Sequence, residues 1–377
     1  MTAAALPATT RVAIVGAGPT GLALAVTLAG AGVDFVLLDR LAEGANTSRA
    51  GVVHARTLEV LDELGASAAL VERGLVVERF RVRDGRRALA ALDFGRLPTP
   101  HPYTLLVPQY DTEAVLLARL RELGGDVHRP YEVAKAEQDE DGVTLTMATG
   151  ETLRAAYAVG ADGMHSVVRE AAGIGFTGSA YEQSFVLADV TMEWAPGRAE
   201  VALQFHAAGL VVIAPLPQDR YRVVATVDDA PREPDAAYVQ RVLDERAPGQ
   251  AKVTGLVWSS RFRVHHRVAD SYRNGRLLLA GDAAHVHSPA GGQGMNTGIQ
   301  DAFALGRALA EDRLDGYEAQ RRPVAERVVA FTDRMTRIAT TRNPLLRTAR
   351  NLLLPVAGRV PAFRTRLTTE LAELDYR

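Results

Sequence analysis

Residues 11–22 read RVAIVGAGPTGL. A β-branched apolar run from Arg11 to Val15 stops at Gly16, and a helical pattern runs from Leu22 to Gly30. Between them Gly16-Ala17-Gly18-Pro19-Thr20-Gly21 fits G-x-G-x-x-G. The first glycine permits a tight turn, the second lets the backbone approach a pyrophosphate, and the third lets helix and strand pack closely. The helix N-terminus that follows offers N–H groups and partial positive charge to phosphate. Val33 to Leu38 reads as a second strand ending at Asp39, 18 residues after Gly21, where a carboxylate can accept hydrogen bonds from a ribose hydroxyl. Strand, glycine turn, helix, strand and terminal acid agree on a Rossmann-like dinucleotide-binding unit. They leave FAD and NAD open.

Outward from this unit, Thr57 to Leu64 has a helical pattern ending at Gly65, and residues 75–93 look like short strands with a turn at Asp84-Gly85. Thr112 to Leu123 is an amphipathic helix stopped by Gly124-Gly125. Tyr131 to Ala148 reads as a hairpin turning at Asp141-Gly142. Ala156 to Ala161 is a strand entering Asp162-Gly163, with a helix from Ser166 to Ala172. From about residue 181 to 268 alternating stretches such as Val201 to Ile213 and Tyr221 to Val227 suggest an antiparallel sheet, with one helix from Ala236 to Arg246. Arg276 to Ala280 then reads as a buried strand, followed by a glycine-rich turn and a helix from Met295 to Ala310. Val324, Val328, Phe331, Met335 and Ile338 form one apolar stripe, expected to be core packing. The expectation is α/β: a nucleotide-binding domain interrupted by a β-rich insertion. Its first part is 1–175, with 75–100 contributing to the insertion; the insertion is 176–272; the second part is 273–340, and a C-terminal helical tail is 341–377.

Composition narrows the chemistry. The 377 residues are 47% hydrophobic, with 43 basic and 45 acidic residues and a formal net charge of −2. Nothing in that balance calls for nucleic acid. Cysteine is absent, which excludes disulfides, thiolate metal sites and redox dithiols, so redox chemistry requires a bound cofactor. Histidines and acids do not meet at metal-ligand spacing, and no metal is expected. Only Lys135 and Lys252 are lysines, read as base-composition bias. No apolar run is long enough to span a bilayer, and Met1 to Thr10 lacks the regions of a signal peptide, so a soluble cytoplasmic protein is expected.

A second glycine loop reads Leu279-Ala280-Gly281-Asp282-Ala283-Ala284-His285, then Pro289-Ala290-Gly291-Gly292-Gln293-Gly294-Met295-Asn296. It resembles the G-D motif of flavoprotein monooxygenases. The resemblance implies FAD, with Asp282 on the ribityl chain and backbone N–H groups from Gly292 to Asn296 facing the flavin N1/O2 edge. A helix N-terminus there stabilises the negative charge of reduced flavin. Gly160-Ala161-Asp162-Gly163, with Ser166 and Arg169, resembles the D-G motif of the same family, which implies contact with FAD and a role in NAD(P)H binding.

Ser48-Arg49-Ala50-Gly51 with His54 to Glu59 looks like a further family segment and implies Arg49 near the flavin or pyrophosphate. Pro108-Gln109 resembles the segment whose glutamine contacts FAD, and Tyr317 to Pro323 (YEAQRRP) matches a recurrent tail segment. The cofactor-binding candidates are therefore Gly16, Gly18, Pro19, Thr20, Gly21, Asp39, Arg40, Arg49, Gln109, Asp162, Gly163, Gly281, Asp282, Pro289, Gly292, Gly294, Met295 and Asn296.

The resemblance is to FAD-dependent aromatic hydroxylases, closest to those tailoring polycyclic polyketides, whose fold is a glutathione-reductase-like FAD-binding domain. Such enzymes often add a thioredoxin-like domain, which this chain is too short to include. NADPH or NADH would reduce the flavin, O2 would add at C4a, and the hydroperoxide would oxygenate an aromatic small molecule. The protein would position and desolvate, so no side chain is a certain catalyst; Arg49, Pro289 and Gly292 are candidates. His265, His266, His285 and His287 read as satisfied or exposed histidines rather than catalysts. On Val201 to Ile213 alternation sends Leu203, Phe205 and Leu210 or Val212 to one face and Gln204 and His206 to the other. One face lines the substrate pocket, with Gln204 or His206 as polar anchors.

A halogenase is disfavoured because Trp194 and Trp258 lie far apart. A reductase of the same fold and a non-catalytic ligand-binding flavoprotein are the alternatives. Monomer and homodimer are both open. Asn343 to Arg366 is basic and partly amphipathic, suiting a lid, an oligomer contact or a membrane-surface helix; Pro355 and Pro361 favour a packed irregular tail.

Overall fold

The computed structural model describes residues 6–44, 50–85 and 87–376. Strand Thr9–Val15 pairs in parallel with Phe35–Leu38 on one side and Thr152–Gly160 on the other, with Ile14 opposite Leu37 and Val159. Strand Leu277–Leu279 then adds in parallel to Thr152–Gly160, and Val127–His128 to Phe35–Leu38. Central parallel strands are covered on both faces, so they read as continuous apolar runs. Val12, Ala13, Ile14, Leu37 and Leu277 to Leu279 are all sealed from solvent. Helices Pro19–Gly30 and Gly294–Ala310 pack on this sheet and on each other. The hairpin Val133–Gln138 and Val143–Met147 extends it.

A second eight-stranded sheet is built on two 19-residue strands, Phe176–Trp194 and Ala251–Ala269, paired antiparallel along their length. Arg220–Val227, Gly209–Leu216 and Val201–His206 follow in order, then Arg79–Asp84 and Arg87–Asp93. The pairing of Val201–His206 with Arg79–Asp84 is parallel. The stretch expected as one alternating strand, Val201 to Ile213, is two strands. Gly209 adopts φ +124°, and the Ala208 N–H donates to His206 Nδ1, so the chain reverses there.

One face of this sheet packs under helix Ala236–Arg246, where Ala202, Val211, Ile213 and Val223 meet Val239, Val242 and Leu243. The other face carries Val201, Leu203, Val212 and Ala214, which meet Val52, Ala55, Phe331 and Leu371. This second face looks onto the nucleotide-binding sheet's loops. A small sheet of Val52–Val53, Thr104–Leu106 and Leu75–Val77 lies between.

The C-terminal segment is helical as expected for 341–377, and its prolines do not make it irregular. It forms helices Pro344–Ala357 and Pro361–Leu371. Pro355 falls in the last turn of the first, and Pro361 opens the second, where its missing N–H has no intrahelical partner to lose.

Candidate active site

The first glycine loop has its shape set by contacts within the loop and its neighbouring strand. A Cβ on Gly21 would lie 1.8 Å from the Gly16 carbonyl oxygen, and one on Gly16, at φ +102°, 2.4 Å from the Ala161 carbonyl oxygen. Gly18 is different: nothing lies within 4 Å of where its Cβ would point. That open side is a cradle for a phosphate group. Gly18 also caps the first helix without a side-chain hydrogen bond, and Pro19 follows at its start. The first N–H groups of such a helix have no intrahelical partners. Thr20 Oγ1 would be met by a Cβ on either Gly281 or Gly298, so the two glycine loops touch here.

Asp39 is committed to backbone. Its Oδ2 accepts from Ala17 N–H and its Oδ1 from Leu41 N–H, each at 2.8 Å, so it fixes the turn beside the groove. Arg40 next to it is exposed, and Arg49 lies outside the described residues. Gln109 begins helix Gln109–Glu122, three residues before the expected start, because Pro108 holds an extended conformation at its cap. Its Oε1 accepts from Ala50 N–H at 3.3 Å and its Nε2 donates to Glu113 at 2.8 Å. Burial raises the Glu113 carboxyl against the pull of Gln109 and Arg129.

In the D-G segment Asp162 Oδ2 accepts from Val167 N–H at 2.8 Å, while Oδ1 is enclosed without a hydrogen-bond partner of its own. Burial raises this carboxyl. Gly163 takes φ +82° with open space at its Cβ position. Arg169 turns inward, donates to Ala283 O at 3.0 Å, and stacks 4.1 Å from the Phe176 ring. It ties the D-G segment to the G-D loop.

That loop is held from beneath. Tyr317 Oη donates to Leu279 O at 2.8 Å. His285 Nε2 donates to Asp301 Oδ2 and Arg321 Nε to Asp301 Oδ1, each at 2.7 Å, with all three side chains at most 3% exposed. Burial would raise the Asp301 carboxyl, but Arg321 and His285 together hold it below its ordinary range. Tyr317 and Arg321 both belong to the YEAQRRP segment, which is therefore a support for the loop. Asp282 is exposed in the turn Gly281–Ala283.

Pro289 to Asn296 is a backbone cradle. Gly291 and Gly292 take φ +88° and +67°, and Gly292 N–H donates to Pro289 O at 3.0 Å. Helix Gly294–Ala310 starts without a side-chain cap, so the N–H groups around Gly294 and Met295 are those available to a flavin edge. Asn296 is not one of the groups facing outward. Fully buried, it accepts from His54 N–H and donates to Val52 O and Gly292 O.

His54 completes the brace. Its Nε2 donates to Gly291 O at 2.7 Å, and burial lowers its pKa to about 4, so the ring is neutral. From the C-terminal side Glu373 Oε1 accepts from Thr297 at 3.4 Å and Oε2 from Gln300. Burial pushes the Glu373 carboxyl up to about 8.

The substrate candidates divide as alternation requires. Leu203 and Phe205 lie on the face toward the loops, in apolar clusters with Val212 and Leu210. Gln204 shares its face with Ala202, beneath helix Ala236–Arg246; it is fully buried and neither side-chain polar atom has a hydrogen-bond partner. His206 lies at the turn. Both expected anchors thus sit on the face turned away from Gly292. The facing side carries the charged pair Arg222 and Asp189, joined across neighbouring strands by two hydrogen bonds of 2.8 Å. Arg222 Nη1 also donates to Ala50 O at 2.6 Å, beside Gly51. A crevice of about 290 Å³ reaches Asp189 from outside, lined also by Arg73, Tyr110, Asp111 and Arg220. Sequence reasoning missed this pair; its one signal was Asp189 on the parity of Phe185 and Leu187 in strand Phe176–Trp194.

The open cradle at Gly18, the uncapped starts of two helices and the enclosed Asp162 oxygen fit the diphosphate, flavin edge and polar chain of FAD. An FAD groove facing a broad antiparallel sheet defines a flavin-dependent monooxygenase. The chain belongs to the family described as FAD binding domain, matched over residues 9–332. It is 37% identical over 392 residues to the 12-dehydrotetracycline 5-monooxygenase/anhydrotetracycline 6-monooxygenase of Streptomyces rimosus, covering 97% of this chain and 76% of that one. The structure of anhydrotetracycline hydroxylase from Streptomyces rimosus matches with a TM-score of 0.81 and 36% identity, over 97% of this chain and 76% of that one. That of p-nitrophenol 4-monooxygenase from Pseudomonas putida matches with a TM-score of 0.87 and 27% identity, over 98% and 99%. Among the described residues no helix is long and apolar enough to cross a membrane, and no cluster of acids and histidines is disposed to hold a metal.

Proposed function

We propose that this enzyme hydroxylates a polycyclic aromatic substrate with O2 and NADPH or NADH, in the manner of the tetracycline-tailoring relatives. The observation that carries this reading is the sheet face opposite Gly292: apolar at Val201, Leu203, Val212 and Ala214, with the buried charged pair Asp189–Arg222 beside Ala50 and Gly51. A broad apolar wall with few polar groups suits a fused aromatic ligand, and a polar pair at its edge orients it. When bound, FAD supplies the electron transfer and oxygen activation that no side chain here can supply.

The protein's own part is positioning. His54 and Asn296 hold the Gly291–Gly292 backbone, so N–H groups at the helix start keep their aim at developing negative charge without reorganising. Leu203 and Val212 exclude water, and Arg222 holds Ala50–Gly51 at the cofactor's edge. The test is product analysis under 18O2, comparing fused-ring phenols with monocyclic ones. Mass gain of one labelled oxygen on the fused-ring substrate is expected. Donor oxidation with no label in any product would overturn the reading and favour a reductase.

A further inference from the structure

Helix Pro344–Ala357 is packed with its polar side inward. At 3.6 residues per turn, Leu345, Leu346, Ala349, Leu352, Leu353 and Val356 share one side, and all are exposed, Leu345 at 80% and Leu353 at 66%. The opposite side holds Arg350 and Asn351, which both donate to Asp84, at 3.0 and 2.7 Å. The Arg350 guanidinium also lies 4.8 Å from the centre of the Phe205 ring. A surface helix ordinarily buries its apolar stripe and exposes its charges. Here ion pairing anchors the helix and the leucines are presented outward. Val360 and Phe363 carry the stripe on, so among the described residues seven of the thirteen exposed large apolar side chains lie between residues 345 and 363. Contiguous patches of this kind on monomers rarely exceed a few hundred Å² without serving an interaction.

Charge identifies the partner. Residues 342–366 contain six arginines and no acidic residue, in a chain of net charge −2. Arg359, Arg364 and Arg366 are exposed around the stripe. A two-fold interface would bring this patch onto itself, arginine facing arginine with no carboxylate from the segment to answer. An anionic lipid surface answers both features: headgroups meet the guanidinium groups, and the acyl boundary takes the leucines. At 1.5 Å per residue the 14-residue helix is about 21 Å long, too short to span a bilayer and suited to lie in its plane. We propose that residues 344–366 dock this enzyme peripherally onto an anionic lipid surface.

The test uses the full chain, purified with its flavin, in flotation with phosphatidylcholine vesicles with and without phosphatidylglycerol. Binding should rise about tenfold or more with the anionic lipid and fall as salt is added. Two variants should each lose it about tenfold while keeping the flavin spectrum and melting temperature: Leu346→Ser with Leu353→Ser, and Arg359→Gln with Arg364→Gln and Arg366→Gln. Equal binding to both vesicle types, or to neither, overturns the proposal. So does a dimer in light scattering that the leucine variant dissolves, which would make a second copy the occupant.

Discussion

Loop 16–21 carries its geometry within itself and the adjacent strand, whereas loop 281–294 borrows its geometry from distant parts of the chain. In the first, glycines are demanded by backbone: Gly21 against Gly16, and Gly16 against Ala161. In the second, the backbone is held by side chains of His54, Asp301 and Tyr317, with Arg321 fixing Asp301 and Glu373 bracing the following helix through Thr297 and Gln300. A local motif can be read from spacing. A borrowed one leaves its holders scattered, each looking like an ordinary core residue.

The difference can be broken by substitution. Arg321→Met leaves Asp301 buried with only His285 and the Gly281 N–H, and should cost about 3–5 kcal/mol of stability. Thermal melts check it; an unchanged melting temperature would show that the second loop does not depend on this remote support. Gly21→Ala, with its Cβ 1.8 Å from a carbonyl oxygen, should cost about 3 kcal/mol and remove flavin from the purified protein.

Proton linkage sharpens the contrast, because the titrating groups brace the second loop. His54 and His287 are lowered to about 4 by burial, so the unfolded chain takes up protons first as pH falls. Stability should be lost between about pH 6.5 and 4. Glu373 is raised to about 8, so its contribution is complete below pH 4.5 and is lost as pH rises toward 8. Glu373→Gln should then be more stable than the native protein at pH 8 and close to it at pH 5. A parallel alkaline decline in both would remove Glu373 from the account.

The smallest effect on stability is expected at Gly18→Ala, where the Cβ meets open space. The apoprotein should change by no more than ~0.5 kcal/mol. Flavin affinity, measured by fluorescence titration, should nonetheless fall, since the methyl fills the phosphate cradle. Unchanged affinity would mean that the cradle is not where the diphosphate lies.

Much of the fold was legible. The expected elements at Val33 to Leu38, Tyr131 to Ala148 and Ala236 to Arg246 fall on two strands' worth of pairing, a hairpin and a helix in the structure. The helix expected near Ala236 to Arg246 lies there, capped by Asp235, which accepts from Tyr238 N–H at 2.7 Å. The Ala207–Ala208 reversal was missed because alanine carries no turn signal and Gly209 stood inside an apolar run. The face of Gln204 was not legible, because alternation separates two faces without saying which one a helix will cover. His54 and Asn296 were visible as motif letters, but the bonds of His54 to Gly291 and to Asn296 join residues more than 230 apart in sequence.

The parallel sheet of the nucleotide-binding half has a consequence for how the enzyme is made. Thr9–Val15 is among the first segments to leave the ribosome, yet its neighbour's neighbour, Leu277–Leu279, follows more than 250 residues later, and Glu373 later still. At ~5–20 residues per second, roughly 20–70 s separate the first strand from the carboxyl that closes the second loop. During that interval an apolar strand edge waits unpaired, exposed to aggregation. Flavin capture is accordingly a late event, and its supply near the end of synthesis should govern the yield of active enzyme.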